Sequence, residues 1–172
     1  MNNNTVKISE FEIMIYEEIE DLLEKNMGLD SESIGSSSIR RSIDKCFEVS
    51  GCKDLGVYCD QLKTSRKLMS ELIEAVVIPE TWFFRNTQPF ELLEDYIKKD
   101  WYLNNINKDL HILSVPCATG EEPYTIAMVL SEIMLPISEV TIDAVDISEE
   151  ALALARQAVY GNNSFRGEKE GL

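Results

Sequence analysis

The stretch LHILSVPCATGEEPYTIA, Leu110–Ala127, holds an apolar run, a turn of small residues, two acids and a segment with helical spacing. Apolar and polar residues alternate too little in this run for a strand with one solvent-exposed face. The run is also far shorter than the roughly 20 residues of a membrane-spanning helix. It predicts a strand buried on both faces of a parallel sheet. Gly120 closes the turn and, having no side chain, lets a ligand approach the backbone. Strand, turn and helix start together are typical of the ligand-binding corner of an open α/β sheet.

Two acidic residues at the start of the predicted helix narrow the choice of ligand. A phosphate-binding loop offers bare backbone amides and a lysine, whereas Glu121 and Glu122 would repel a pyrophosphate. Carboxylates favour hydroxyl groups or a positive charge, so a nucleoside with a cationic centre fits, and S-adenosylmethionine is one. The alternative is a helix whose first-turn acids only complement its dipole, and the spacing alone leaves both interpretations open.

A second strand is predicted at Val140–Val145, and it ends at an acid, Asp146. A carboxylate at the tip of the second strand is placed to accept hydrogen bonds from ribose hydroxyls. Asp143 competes for this role but precedes the end of the strand, so we favour Asp146. Ser148 then caps a further helix, which we expect to run to Tyr160.

Composition limits the function classes that fit this chain. Its 172 residues carry a net charge of −15, with 15 acidic against 9 basic residues up to Ile78 and 16 against 7 after it. Such a surface argues against binding to nucleic acid or to an anionic membrane, both of which need a basic face. No apolar run is long enough to insert into a membrane, and MNNNTVKISEF lacks a signal-peptide core. We therefore expect a cytoplasmic protein.

The four cysteines predict neither a metal centre nor a nucleophile. Their spacings match no zinc pattern, so no metal site is expected. Cys117 lies in the turn after the first strand, but His111 is the only histidine and no acid-backed base is evident. Cys117 is interpreted as a small residue that fits a crowded loop.

Residues 1–78 read as a separate module of about four helices. The first begins at a capping box, with Ser9 as N-cap and Glu12 three residues on, and Gly28 ends it. A polar loop follows at Leu29–Ser38, and the predicted helices are Ser9–Asn26, Ser36–Val49, Leu55–Lys63 and a fourth from Thr64 or Ser65 to Val77. Arg40, Arg41 and Lys45 form a local basic cluster, which is either a solvated face or a docking stripe for an acidic partner helix.

The segment ETWFFRN, Glu80–Asn86, follows the break at Pro79. Its three consecutive aromatic residues either clasp two domains together or belong to a site. In the second case Thr81 and Arg85, four residues apart, share one side if the segment is helical. An arginine held by aromatic neighbours suits a carboxylate, which it can bind through two hydrogen bonds. An amphipathic helix is predicted next, at Pro89–Tyr102.

Three blocks of the sequence closely resemble the CheR family of chemotaxis-protein methyltransferases. They are ETWFFRN at Glu80–Asn86, CATGEEPYTIAM at Cys117–Met128 and DAVDISEEALALARQAVY at Asp143–Tyr160, in the family's order and separations. The resemblance implies a small all-helical N-terminal domain, residues 1–78, followed by the first part of a Rossmann-like S-adenosylmethionine-dependent methyltransferase domain, residues 79–172. It also implies methyl transfer from S-adenosylmethionine to glutamate side chains of chemoreceptors, with the chemoreceptor cytoplasmic domain as partner.

The same resemblance assigns the site residues position by position. It implies cofactor contacts at Thr81, Arg85, Glu122 and Asp146, with Gly120 as the glycine of the loop. Arg85 would also lie near the reacting centre as the catalytic residue. As a hypothesis, Arg85 orients the incoming carboxylate, Asp146 holds the ribose, and Glu122 supports the methionine or ribose part of the cofactor.

The family continues well past Leu172, so we expect an incomplete methyltransferase domain. Only two strands are clear, where a doubly wound sheet usually has about five or more. A sheet of two strands would expose apolar faces, and a homodimer is one way to cover them. Weak or absent activity is expected for these 172 residues. The alternatives are a non-catalytic receptor-binding or regulatory module, and a methyltransferase acting on a different protein or a small molecule.

Overall fold

The computed structural model describes residues 9–28, 34–77, 79–105 and 108–166. The chain divides into two compact units, Met1–Ile78 and Pro79–Leu172. The described part of the first is helical, and the second combines helices with a small parallel sheet. The predicted succession of a helical part and an α/β part is confirmed. Within the described ranges, no helix is both long and apolar enough to cross a membrane.

Four helices of the first unit match the sequence pattern. They are α1 (Glu10–Met27), α2 (Ser36–Ser50), α3 (Leu55–Leu62) and α4 (Arg66–Val76). The capping box at α1 is confirmed, because the Glu12 amide donates to the Ser9 hydroxyl at 3.2 Å and the Ser9 amide donates to the Glu12 carboxylate at 2.8 Å. Gly28 ends α1 in a left-handed conformation, as predicted. The first half of the predicted loop at Leu29–Ser38, residues 29–33, lies outside the described residues.

The core of the first unit is formed by one face of each helix. Its buried residues are Ile15, Ile19, Leu23, Ile39, Ile43, Tyr58, Cys59, Leu62, Met69, Leu72, Ile73 and Val76. Of the basic cluster, Arg40 is already engaged, because it pairs with Glu20 at 3.4 Å and lies over the Tyr16 ring. Arg41 and Lys45 remain exposed.

The second unit opens with a segmented helix and a pair of strands. Helix α5 (Thr87–Tyr96) passes through a π-helical turn, Ile97–Trp101, into a last helical turn at Tyr102–Asn104. Strands β1 (Leu110–Ser114) and β2 (Val140–Ala144) pair in parallel. The register places Leu110 opposite Val140 and Ser114 opposite Ala144. This parallel pairing confirms the sequence-based expectation.

The prediction that β1 is buried on both faces is wrong for the described residues. Leu110 and Ser114 are buried, but Leu113, on the other face, is 62% exposed, and Val115 beyond the strand is exposed as well. The second core covers a single face of the sheet and consists of Ile97, Leu110, Ile126, Leu130 and Leu135. Burying a continuous apolar run requires elements packed against both faces of the strand, and among the described residues the core packs against one face only.

The helix after β2 is shorter than the pattern suggested. Helix α6 spans Glu121–Glu132, whereas α7 (Glu149–Gln157) ends before the predicted limit at Tyr160. Ala158 ends α7 in a left-handed conformation, with φ of 54°. Two 3₁₀ turns complete the unit, Ile137–Glu139 before β2 and Asn162–Phe165 after α7. Ser148 caps α7 as predicted, since its hydroxyl accepts from the Ala151 amide at 2.9 Å.

Candidate functional site

The loop between β1 and α6 lies at the carboxyl ends of both strands. The Val145 amide donates to the Ser114 carbonyl at 3.0 Å, and the Cys117 amide donates to the Val145 carbonyl at 2.9 Å. These bonds extend the strand pairing into the loop. The carboxyl end of a parallel sheet is where open α/β folds bind ligands.

Asp146 joins this loop to the start of α7. One carboxylate oxygen accepts from the Ala118 amide at 2.7 Å, and the other accepts from the Ser148 amide at 2.9 Å. A carboxylate has about four acceptor positions, so each oxygen retains capacity for a further donor. The side chain is only half-buried, which leaves it accessible to a ligand hydroxyl.

Glu122 approaches the same loop from the first turn of α6. Its carboxylate accepts from the Ser114 hydroxyl at 2.6 Å, and the residue is exposed. Burial raises the pKa of the Cys117 thiol, and the charges of Asp146 and Glu122 raise it further. The shift favours the protonated thiol, which is a poor nucleophile. The structure brings Glu122 and Asp146 together at the loop.

Gly120 is required by the packing of α7 against the loop. Its φ is 99°, and a Cβ at this position would lie 2.6 Å from the Tyr160 hydroxyl oxygen and 2.9 Å from the Ala155 Cβ. The sequence predicts that a ligand approaches the backbone at this glycine. The close neighbours in the structure are Tyr160 and Ala155, and a cofactor contact at Gly120 stays a prediction.

Glu121 and Glu122 have different environments, although they are adjacent in the sequence and carry the same charge. Glu121 is only 3% exposed, and its carboxylate accepts from the Thr119 hydroxyl at 2.6 Å and the Ser164 hydroxyl at 2.8 Å. Neighbouring helical residues point in different directions, so one acid can face inward and the next outward. Sequence reasoning missed this buried role, because Thr125, one turn later and also buried, is polar and gives no sequence signal for the covered face.

The segment that carries Thr81 and Arg85 is a turn before α5. The premise that these residues share one side of a helix is therefore wrong. Arg85 donates to the Glu80 carbonyl, and its guanidinium lies 4.7 Å from the centre of the Trp82 ring. Thr81 is half-buried and Arg85 is exposed. Trp82 thus holds the guanidinium at the surface, where a carboxylate can reach it.

Two backbone hydrogen bonds hold this segment in the second unit. The Phe83 amide donates to the Ser164 carbonyl at 2.8 Å, and the Phe84 amide donates to the Thr125 hydroxyl at 3.2 Å. Phe83 is buried against Tyr160 and Phe165, with ring centres 4.9 and 4.8 Å away. Among the described residues no hydrogen bond or ion pair joins Arg85 directly to Glu122 or Asp146.

The residues around the loop suit a cationic nucleoside. Glu122 and Asp146 are acceptors for ribose or amino groups, and their charges favour a sulfonium over a phosphate. Burial raises the pKa of Tyr160 to about 12, and the nearby Glu121 contributes to the shift. The Tyr160 hydroxyl therefore stays protonated and donates to the Thr119 carbonyl at 2.8 Å, which helps to fix the loop. Over the described ranges no cluster of three His, Cys, Asp or Glu side chains is arranged to hold a metal ion.

Comparison with protein-family models gives two adjoining matches. Residues 14–77 match the all-alpha domain of CheR methyltransferase, and residues 79–170 match the CheR methyltransferase SAM binding domain. The chain belongs to the CheR methyltransferase family. The resemblance in the three sequence blocks is thereby confirmed, and S-adenosylmethionine is the methyl donor that this domain indicates. The mostly helical fold with its small parallel sheet is consistent with a truncated Rossmann-like methyltransferase domain.

Curated relatives of this CheR-family chain have two kinds of name. "Probable biofilm formation methyltransferase WspC" of Pseudomonas putida is 40% identical over 87% of this chain and 35% of its own length. The protein of the same name in Pseudomonas aeruginosa is 40% identical over 88% of this chain and 36% of its own length. "Chemotaxis protein methyltransferase" of Borreliella burgdorferi is 33% identical over 78% of this chain and 50% of its own length. The chain thus spans between a third and a half of these relatives.

Proposed function

We propose that the protein containing this chain is an S-adenosylmethionine-dependent methyltransferase that forms glutamyl methyl esters on chemoreceptor cytoplasmic domains. The observation that carries the proposal is the convergence of Glu122 and Asp146 on the loop at the carboxyl ends of the strands. The family match and the relatives named chemotaxis protein methyltransferase support the substrate class. We further propose that the protein works in the cytoplasm.

The proposed reaction depends on positioning the glutamate carboxylate and the methyl group more than on acid–base catalysis. A glutamate side chain has a pKa of about 4.3 and is ionised at neutral pH, so it needs no general base. S-adenosylmethionine, when bound, supplies a methyl group on a positively charged sulfur. Asp146 would bind the ribose and Glu122 the methionine or ribose part, with Thr81 and Gly120 as further contacts. Arg85, steadied by Trp82, would orient the incoming carboxylate in line with the methyl group.

We propose that residues 79–172 form only the N-terminal portion of the methyltransferase domain, preceded by a helical domain over residues 1–78. The exposed face of the sheet at Leu113 and Val115 supports this, as does the length of the relatives. The 172 residues alone are then expected to transfer methyl groups weakly or not at all. We also propose that a homodimer covers this apolar face. Sedimentation of the wild-type and Leu113→Glu chains tests whether the dimer forms through it.

Calorimetric titration with S-adenosylhomocysteine tests the cofactor site. Asp146→Ala is expected to weaken binding at least about tenfold, because the loop and the start of α7 each lose a hydrogen bond and the ribose loses its acceptor. Asp143→Ala is the matched control, since this exposed acid of β2 lies three residues earlier and should bind like the wild type. Equal affinities for all three proteins would contradict the site. Absence of heat with the wild type would favour a non-catalytic regulatory module.

Methyl transfer by the complete protein tests the role of Arg85. Arg85→Ala is expected to lower the rate of receptor methylation strongly, and Arg85→Lys to restore it only in part, because an ammonium lacks the planar fork of a guanidinium. Lys108→Ala, at an exposed cation before β1, is the control and should keep the wild-type rate. Receptor methylation by Arg85→Ala at the wild-type rate would remove the proposed role.

The names of two relatives favour a second candidate function. Both relatives at 40% identity are named biofilm formation methyltransferases, whereas the chemotaxis relatives from Borreliella burgdorferi and Pseudomonas aeruginosa are 33% and 30% identical. A methyltransferase that serves biofilm formation through a different protein substrate is therefore the alternative. Transfer of tritiated methyl groups to a protein other than a chemotaxis receptor, without transfer to chemotaxis receptors, would decide for it.

A further inference from the structure

Glu121 lies at the centre of a buried hydrogen-bond network that the proposed function has not used. Its carboxylate is almost fully buried in the first turn of α6, beside the exposed Glu122. Burying a charge is unfavourable unless hydrogen bonds replace the lost water. Each oxygen of this carboxylate accepts one from a hydroxyl, and the two hydroxyls come from different segments of the chain.

The first connection leads to the cofactor loop. Thr119 donates its hydroxyl to the carboxylate of Glu121, and its backbone carbonyl accepts from the Tyr160 hydroxyl. Thr119 directly precedes Gly120, whose close packing against α7 leaves the loop little room to shift. Glu121 therefore fixes the position of Thr119, near the end of the loop, through this hydrogen bond.

The second connection leads toward Arg85. Ser164 donates its hydroxyl to Glu121 at 2.8 Å, while its backbone carbonyl accepts from the Phe83 amide at 2.8 Å. The backbone carbonyl of Glu121 also accepts from the Thr125 hydroxyl at 2.6 Å, and that hydroxyl accepts from the Phe84 amide. Two successive amides before Arg85 are thus tied to one buried acid.

The backbone at this point needs such support. Phe84 has a φ of 57°, in the left-handed region that an L-residue with a bulky side chain enters at a cost. Surrounding structure must hold a residue in this conformation, and Thr125 and Ser164 supply the hydrogen bonds that do so. The direction in which Arg85 leaves the chain depends on the backbone angles of its neighbour Phe84.

We propose that Glu121 is a positioning residue, which couples the cofactor loop at Thr119 and Gly120 to the segment that presents Arg85. This network keeps a constant distance between the cofactor loop and the Arg85 guanidinium, which receives the substrate carboxylate. The inference rests on the proposed function. It assigns to the first acid of the pair a role distinct from that of Glu122, which faces the ligand.

Fluorescence of Trp82 reports on this coupling without any ligand. Trp82 lies under the Arg85 guanidinium, and replacing the other tryptophan, Trp101→Phe, makes it the sole emitter. In that background Glu121→Ala is expected to shift the Trp82 emission and raise its quenching by acrylamide, at temperatures where the far-ultraviolet circular dichroism stays unchanged. Glu121→Gln should restore most of the wild-type signal, because an amide can accept one hydroxyl and donate to the other. Glu132→Ala, an exposed acid of the same helix, is the matched control.

Binding of S-adenosylhomocysteine gives the second measurement. Glu121→Ala is expected to weaken binding about tenfold, Glu121→Gln by less than about threefold, and Glu132→Ala not at all. If Glu121→Ala lowers only the melting temperature, and the Trp82 signal and the affinity per folded molecule are unchanged, the proposal is wrong. Should Glu121→Ala fail to fold, Ser164→Ala breaks one connection alone and must still alter the Trp82 signal. A wild-type chain that binds no ligand would overturn the proposed function, while the Trp82 signal would still decide on the coupling.

Discussion

Gly120 has a left-handed backbone conformation and also packs closely against α7. An added methyl group would face the Tyr160 hydroxyl oxygen at 2.6 Å and the Ala155 backbone at 3.1 Å. The hydroxyl belongs to a side chain that also bonds to the loop, so it cannot move away freely. The lack of room for a side chain at Gly120 is therefore caused by Tyr160 and Ala155.

We predict that Gly120→Ala lowers the free energy of unfolding by about 1–3 kcal/mol, because it combines backbone strain with overpacking. Gly161→Ala is the control, since a Cβ there meets nothing within 4 Å. Urea denaturation followed by circular dichroism measures both. Adding Tyr160→Phe to Gly120→Ala should recover part of the loss, and equal stability of the two alanine variants would contradict the packing argument.

The neighbouring acids mark a limit of sequence-based inference at the residue scale. Asp146 is favoured over Asp143 because it follows the end of the second strand, and in the structure it accepts from the Ala118 and Ser148 amides. Its contact with a ribose stays a prediction. Glu121 and Glu122 were indistinguishable, because charge and spacing do not say which face of α6 is covered. Ser164, which decides the matter, is more than 40 residues away in the sequence.

Helix ends illustrate what local chemistry determines at the element scale. The Ser9 amide and hydroxyl donate to the Glu12 carboxylate, and these bonds hold the pKa of Glu12 below its ordinary value of 4.5. A carboxyl whose pKa is depressed by folding stabilises the fold above its unfolded-state pKa, and this contribution is lost as the pH falls through the folded-state value. The capping box of α1 should therefore weaken in acid.

We predict that Ser9→Ala destabilises the chain at pH 7 and that the difference from the wild type shrinks at pH 3. Ser65→Ala is the control, because Ser65 caps α4 through the Leu68 amide and has no carboxylate three residues on. Its cost, about 1 kcal/mol, should stay the same at both pH values. Urea midpoints at pH 7 and pH 3 measure the effect, and an equal pH response of both variants would rule out the Glu12 contribution.

At the end of α7, a substitution is expected to raise the free energy of unfolding instead of lowering it. Ala158 has a φ of 54°, a conformation that costs an alanine more than a glycine. Ala158→Gly is therefore expected to raise the free energy of unfolding by about 1 kcal/mol. Ala153→Gly, at an exposed position inside the same helix, should lower it by about 1 kcal/mol. Thermal unfolding compares the two, and a loss of stability in both would show that Ala158 is not strained.

At the scale of the whole molecule, each unit has a hydrophobic core of its own. The first core draws all its buried residues from the first unit, and the second draws all of its own from the second. A segment with a separate core and its own hydrogen-bonded helix ends meets the requirements of an independent domain.

We predict that residues 9–77, expressed alone, fold cooperatively. Within this segment Leu72→Ala should cost about 2–5 kcal/mol, since Leu72 is fully buried. Phe11→Ala, at a side chain that is 70% exposed, should change stability by less than about 0.5 kcal/mol. Thermal circular dichroism measures all three proteins. A gradual melt without a transition would mean that the segment depends on the rest of the chain.

The amino-acid sequence alone was enough to locate most helices, both strands and several helix caps, because periodicity and capping act within a few residues of each other. The CheR family was indicated by the resemblance of three sequence blocks to that family. The burial of β1 on one face, the early end of α7 and the separate environments of Glu121 and Glu122 were decided only by the tertiary structure. Each of these depends on contacts between residues far apart in the chain. A continuous apolar run and a pair of adjacent acids carry no periodicity that marks the covered face, so at these positions the packed whole decides which face is buried.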